Sequence, residues 1–121
     1  MGNTKSLPAF IFERPISDEI TIGVCNNSKQ GLRFNNIMYY YKKMIEQRNK
    51  LVYQFENEET DQIFLILEKC DNNISYILEI NNEKHIGNIN ETIIKYSKTI
   101  DYQSHELDKI FVFIKKIELK N

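Results

Sequence analysis

Two runs of β-branched and aromatic residues constrain the fold of this chain more than any other part of its sequence. "QIFLILEKC" covers residues 62–70 and "ISYILEI" covers residues 74–80, and only "DNN" separates them. Two such runs joined by so short a turn form an antiparallel hairpin, because a parallel pair needs a crossover of roughly a dozen residues or more. The sequence therefore predicts an antiparallel sheet built around this hairpin.

Further strand-like runs lie on the N-terminal side of the hairpin. "AFIFE" at residues 9–13 and "EITIGVC" at residues 19–25 are separated by "RPISD", and "LVYQF" at residues 51–55 alternates as a strand does. Pro15 lacks a backbone N–H and cannot lie in the middle of a ladder. Pairs of asparagines tolerate left-handed backbone, so residues 26–27, 72–73 and 81–82 are predicted turns.

The segment "NNIMYYYKKMIEQRNK" at residues 35–50 predicts a helix over residues 36–49. At about 100° per residue, Tyr39 falls on a polar side with Lys43, Glu46 and Lys50, and it is predicted to face solvent. The opposite sector is apolar and contains Ile37, Tyr40, Tyr41, Met44, Ile45 and Leu51. Arg48 falls inside that sector, so either the helix frays there, or the side chain extends its stem along the core with its head in water, or the guanidinium is held by a buried carboxylate or offered to a ligand.

Two C-terminal segments complete the predicted fold. In "INETII" at residues 89–94, Asn90 is a helix cap, and Ile89 and Ile94 have the spacing of a hydrophobic staple. "SHELDKIFVFIKKIELK" at residues 104–120 favours a helix capped by Ser104 over a buried strand at "IFVFI". The predicted fold class is α+β, with an antiparallel sheet packed against two or three helices in a single two-layer domain over residues 1–121.

The charge balance argues against a general affinity for polyanions. Sixteen basic and seventeen acidic residues leave a formal charge of −1, which attracts neither nucleic acid nor an anionic membrane. The best local nucleic-acid patch combines Tyr39 with Lys42, Lys43 and Lys50, but Glu46 lies within it and favours a solvated helix face. With no signal peptide at the start and no apolar run of about 20 residues, a cytoplasmic protein without a membrane span is expected.

Little in the sequence points to catalysis. Cys25 and Cys70 have no metal-ligand or redox spacing and are predicted to be reduced thiols. His85 and His105 have no signature of a nucleophile pair or a metal site, and the glycines form no phosphate-binding loop. The chain is therefore predicted to be no enzyme, with no catalytic, cofactor-binding or metal-binding residues.

The most unusual surface feature is the run "ENEETD" at residues 56–61. Glu56, Glu58, Glu59 and Asp61 place four carboxylates within six residues. The run is either a solvated loop between strands or an acidic surface that docks into a basic cleft, such as the active site of a nuclease.

In size, α+β organisation, the acidic surface element and the C-terminal "HELDKIFVFIKKI", the chain resembles the immunity proteins with which bacteria neutralise the toxins of contact-dependent growth inhibition. The resemblance implies a cytoplasmic inhibitor that binds a toxin domain, such as a basic nuclease, without chemistry of its own. The predicted contacts are Glu56, Glu58, Glu59 and Asp61, followed by Tyr39. The alternatives are a nucleic-acid-binding regulator and a phage-type inhibitor of a host defence enzyme.

Overall fold

In the described residues, eight antiparallel strands follow one another and pair in sequence order, so the sheet is a continuous meander. The computed structural model describes residues 9–48, 50–70 and 73–99. The elements are β1 (Phe10–Pro15), β2 (Thr21–Cys25), β3 (Gln30–Phe34), β4 (Ile37–Glu46), β5 (Lys50–Glu56), β6 (Gln62–Cys70), β7 (Asn73–Ile80), β8 (Glu83–Asn88) and helix α1 (Glu91–Thr99). The sheet curls into half a barrel. Its inner face carries the core, and the opposite side is its outer face.

The predicted hairpin and the flanking strands are confirmed. β6 and β7 pair in unbroken register from Ile63 opposite Ile80 to Cys70 opposite Asn73. The runs at residues 9–13 and 19–25 contribute to β1 and β2, which pair with each other, and the run at residues 51–55 lies in β5. Pro15 ends β1, the first strand of the meander, where its missing N–H breaks no central ladder.

The predicted helix over residues 36–49 is wrong, because residues 37–46 form β4, the longest strand described. Asn35 and Asn36 adopt left-handed backbone, with φ of 51° and 62°. Phe34 and Ile37 are then paired across a two-residue hairpin turn, and positive φ at both central residues is the requirement of a type I′ turn. The α+β fold with two or three helices is therefore corrected to a mostly β fold with one short helix in the described residues.

The three consecutive tyrosines separate by the two-residue period of a strand. Tyr39 is buried on the inner face at 1% exposure, and Tyr41 packs against the same core. Tyr40 lies between them in sequence and therefore points to the outer face. A β-bulge between Tyr41 and Lys43 then shifts the register, after which Met44 returns to the inner face.

The core is built from alternate residues of successive strands. On β5, Leu51, Tyr53 and Phe55 have no exposed surface, while the residues between them are partly exposed. β6 and β7 repeat the pattern with Ile63, Leu65, Leu67, Ile74, Tyr76 and Leu78. Burying each of these large side chains stabilises the fold by about 1.5–3 kcal/mol. The alternation therefore fixes the register of the sheet, since a slip by one residue would expose the whole set.

Helix α1 packs against this inner face. Asn90 caps it as predicted, because the Thr92 N–H donates to Asn90 Oδ1 at 2.9 Å, and Ile89 and Ile94 are buried. The Asn90 N–H also donates to the carbonyl of Ile16 at 2.9 Å, which ties the helix start to the β1–β2 turn. The helix predicted over residues 104–120 lies outside the described residues.

Candidate functional site

The four carboxylates of the acidic run occupy two different environments. Glu56 is the last residue of β5 and is half-buried, with its Oε1 atom 3.4 Å from Nζ of Lys42. Glu58, Glu59 and Asp61 are exposed in the connection between β5 and β6. We call residues 57–61 the acidic loop. The structure thus confirms a loop at this position, and it separates Glu56 from the three exposed acids.

Asn57 holds the acidic loop in one conformation. Its Oδ1 accepts hydrogen bonds from the backbone N–H groups of Glu59 and Asp61, both at 2.9 Å, and its Nδ2 donates to Asp61 Oδ2 at 3.3 Å. The Asn57 N–H donates to the carbonyl of Asp61 at 3.0 Å, and Thr60 adopts left-handed backbone with φ of 67°. Because side chain and backbone both close the turn, the exposed carboxylates are presented by an ordered backbone.

The acidic loop forms one wall of an open groove beside the β3–β4 hairpin. The groove encloses about 400 Å³ and is lined by Arg33, Asn36, Ile37, Met38, Tyr40, Asn57, Glu58, Glu59 and Asp61. Ile37 is 44% exposed although it is a large aliphatic residue. Arg33 also lines the groove, and its Nη2 is 3.1 Å from Glu13 Oε2. The groove therefore combines an apolar strip with three exposed acids, and we call it the acidic groove.

Tyr40 stays protonated at the edge of the acidic groove. Burial of the phenol raises its pKa above the ordinary value, Cys25 and Glu58 raise it further, and a hydrogen bond with Asn27 lowers it. Nζ of Lys29 lies 5.3 Å from the centroid of its ring, within the range of a cation–π contact. At neutral pH, Tyr40 therefore has a neutral ring beside the carboxylates, with its hydroxyl oxygen buried.

The prediction that Tyr39 faces solvent is wrong. Its side chain is in the core, and burial, followed by the charge of Asp61, raises the pKa of its hydroxyl. Tyr39 therefore does not join Lys42, Lys43 and Lys50 on one surface; Lys42 instead pairs with Glu56, and Lys50 lies opposite Glu68 on the neighbouring strand. Because Tyr39 points into the core, it is not available for contact with a partner at the surface.

Residues considered for chemistry are not brought together. His85 lies in β8, with Nδ1 3.8 Å from Glu19 Oε2 and Nε2 3.8 Å from Glu83 Oε2. Cys25 is buried, which raises the pKa of its thiol, and its Sγ is 3.7 Å from Sδ of Met38. Arg48 is exposed in the connection between β4 and β5. His105 and the side chain of Cys70 lie outside the described residues.

The groove residues beyond the acids were missed from the sequence, and one signal could have found them. The pair Asn35-Asn36 is the same kind of turn signal as the other asparagine pairs. Reading it as a hairpin turn would have made residues 37–46 a strand and placed Met38 and Tyr40, which both line the groove, on one side of it. Asn57 had no comparable signal, because an asparagine that closes a loop is recognised only once its partners are located.

Comparison of the chain with models of protein families, with curated proteins and with solved structures finds no match. Within residues 9–48, 50–70 and 73–99, no group of three or more histidine, cysteine, aspartate or glutamate side chains could hold a metal ion. In the same part of the chain, no helix has both the length and the apolar character needed to cross a membrane.

Proposed function

We propose that this protein is an inhibitor that binds a basic protein domain, such as a toxin nuclease, through the acidic groove and performs no chemistry itself. The observation that carries the proposal is the placement of three exposed carboxylates, on a loop ordered by Asn57, beside the exposed side chain of Ile37. The class of partner and a cytoplasmic site of action come from the resemblance to immunity proteins, which rests on size, the acidic run and the C-terminal segment and no longer on an α+β organisation.

The order of the acidic loop supports tight binding. Immobilising a flexible, charged loop upon association costs roughly 0.5–1.5 kcal/mol for each side chain that loses its freedom. In this protein, the backbone hydrogen bonds to Asn57 are already present in the free chain. A partner therefore meets a preorganised loop, and less of the interaction energy is lost in ordering it.

The two kinds of surface in the groove have different roles. Glu58, Glu59 and Asp61 attract a basic partner at long range and oppose an acidic one, which raises the association rate and gives selectivity. Ile37 and the neutral ring of Tyr40 supply apolar contact, which slows dissociation. A groove with both kinds of surface is suited to covering the active site of a partner whose normal substrate is a polyanion.

The proposal is tested with the product of the reading frame next to the gene of this protein. We expect a one-to-one complex with Kd of about 10 nM or tighter, loss of the partner's toxicity, and weaker binding as salt rises. Failure of the two proteins to bind, combined with unchanged toxicity on co-expression, would contradict the proposed function.

A charge-neutral loop locates the interface. The variant Glu58→Gln/Glu59→Gln/Asp61→Asn should weaken binding by roughly 10- to 150-fold, since each exposed ion pair contributes about 0.5–1 kcal/mol. The control Asp18→Asn/Glu83→Gln/Glu91→Gln removes the same number of charges from exposed residues outside the groove. Equal affinity of both variants would show that the partner binds elsewhere.

A further inference from the structure

The guanidinium of Arg33 is held by two residues of β1. Its Nη2 donates to Glu13 Oε2 at 3.1 Å, and its Cζ lies 5.2 Å from the centroid of the Phe10 ring. The first contact is an ion pair, and the second lies within the range of a cation–π contact. We call Phe10, Glu13 and Arg33 the arginine clamp. The clamp fixes the charged end of a side chain that begins on β3, two strands away from β1.

Two facing glycines open the way from Arg33 to β1. Strand register places Glu13 opposite Gly23, and Gly23 opposite Gly31. Arg33 follows Gly31 by two residues and therefore points to the same face of the sheet as Glu13. Because glycine has no side chain, the missing side chain at Gly23 leaves room for Arg33 to cross β2 and reach the carboxylate on β1.

Arg33 also belongs to the acidic groove, which it lines together with Glu58, Glu59 and Asp61. β3 is the middle strand of the five from β1 to β5, and the acidic loop directly follows β5. With neighbouring strands about 4.8 Å apart, β1 and β5 each lie about 10 Å from β3. Arg33 therefore stands between the carboxylate of Glu13 on one side and the carboxylates of the acidic loop on the other.

The structure shows Arg33 in one of these two positions. In the part of the chain that the structure describes, Arg33 has an ion pair with Glu13 and none with the acidic loop. Three exposed carboxylates nevertheless attract a guanidinium that lines the same groove. The contacts with β1 oppose that attraction.

We propose that Arg33 is an internal competitor for the acidic groove, and that Glu13 and Phe10 hold it aside so that the groove stays open to a cationic side chain of the partner. The inference rests on the proposed function, because it describes how the same groove is kept available. An Arg33 guanidinium that moved to the acidic loop would occupy its carboxylates and cancel part of the charge that attracts a basic partner. Glu13 and Phe10 are thus positioning residues, and they act through Arg33.

The two contacts of the clamp are weak enough for the loss of one to matter. The side chains of Arg33 and Glu13 are 41% and 47% exposed, and an exposed ion pair shifts an equilibrium by at most about fivefold. A cation–π contact at an exposed site contributes a similar factor. Because apparent affinity scales with the fraction of molecules whose groove is open, removal of either contact should weaken binding by about two- to fivefold.

Nuclear Overhauser effects in the free protein test the clamp without a partner. In the wild type, the δ protons of Arg33 should contact the Phe10 ring. In Glu13→Gln, these contacts should weaken, and contacts between Arg33 and the side chains of residues 58–61 should appear. Glu83→Gln is the control, because it removes the same charge from an exposed position outside the groove, and its Arg33 contacts should match the wild type. Unchanged Arg33 contacts in Glu13→Gln overturn the proposal.

Binding of a hexa-arginine peptide at low salt, followed through the amides of the acidic loop, tests the consequence for the groove. Phe10→Leu removes the cation–π contact without changing the charge, and it should weaken binding by about two- to threefold. In an Arg33→Ala background, the same exchange should have no effect, because no guanidinium is left to release. Equal weakening in both backgrounds overturns the proposal. A peptide that leaves the loop amides of the wild type unshifted contradicts the proposed function, and the Arg33 contacts in the free protein still decide the inference.

Discussion

Replacing Gly87 with alanine should destabilise the protein, although the same exchange within a strand is normally stabilising. Gly87 lies in β8 directly opposite Tyr76 in β7, and its backbone is outside the left-handed region. A Cβ atom added to it would lie 2.7 Å from Cε2 and 2.8 Å from Cζ of the Tyr76 ring. Carbon atoms in contact are about 3.5–4.0 Å apart, so the ring would have to move.

The ring of Tyr76 has little room to move. Its side chain is 4% exposed, and its hydroxyl donates to Glu19 Oε1 at 2.8 Å. Overpacking costs about 1–3 kcal/mol, and a shift that breaks a hydrogen bond to a carboxylate costs about 1.5–3 kcal/mol more. The lower backbone entropy of alanine in the unfolded chain returns about 0.5–1 kcal/mol. The expected net loss in the free energy of unfolding is therefore about 2–5 kcal/mol.

Urea unfolding at neutral pH, followed by circular dichroism, measures this loss. Lys84→Ala, at an exposed position of the same strand, should stay within about 0.5 kcal/mol of the wild type. In a Tyr76→Leu background, Gly87→Ala should cost at least about 1 kcal/mol less, because the clashing ring is absent. A Gly87→Ala protein as stable as the wild type, or more stable, would refute the reasoning.

Three further predictions concern a cap, a buried hydroxyl and the acidic loop. Asn90→Ala should lower the free energy of unfolding by about 1 kcal/mol in urea titrations, whereas Asn90→Asp, which keeps an acceptor for the Thr92 N–H, should lose little. Burial first, and then Tyr41 and Glu46, raise the pKa of Tyr53, so the folded chain keeps a proton that the unfolded chain loses above about pH 10. That stabilisation is complete below about pH 10 and is lost as pH rises further. Tyr53→Phe should therefore show a smaller decline in urea midpoint at alkaline pH than the wild type. Equal declines in the two proteins would contradict this role of Tyr53. Asn57→Ala should speed hydrogen exchange at the loop amides of residues 59 and 61, while Asn57→Asp, which keeps the accepting oxygen, should not; unchanged exchange in Asn57→Ala would show that Asn57 does not order the loop.

The strands around the hairpin were predictable because their signals are local. The runs at residues 62–70 and 74–80 are close in sequence, so turn length and β propensity alone give their pairing. The cap at Asn90 is equally local, since its partner N–H is two residues away. These elements need no knowledge of the rest of the chain.

The segment at residues 37–46 was misread because its apolar residues fit a helical period as well as an alternating one. The left-handed backbone at Asn35 and Asn36, together with pairing to β3 and β5, decides in favour of a strand. Cross-strand burial of Tyr39 and Tyr41 outweighs helix propensity, which contributes only tenths of a kcal/mol per residue.

The candidate site was predictable only in its charge. The sequence alone identifies four crowded carboxylates at residues 56–61, and it cannot show that Glu56 is drawn to Lys42 while the other three border a groove. That division depends on how β4 and β5 are paired. The burial of Tyr39 likewise depends on which face of β4 meets the core. The sequence alone does not show this, and Tyr39 was therefore predicted to lie at the surface.

By itself, the amino-acid sequence determined the strand-forming runs, the turns at residues 26–27 and 81–82, the helix cap and the position of the acidic run, because each depends on residues a few positions apart. Only the tertiary structure decided which face of each strand is buried, which carboxylates are exposed, and which residues of neighbouring strands lie opposite one another. Strand register brings together residues far apart in the chain, and register is set by the packing of the whole sheet.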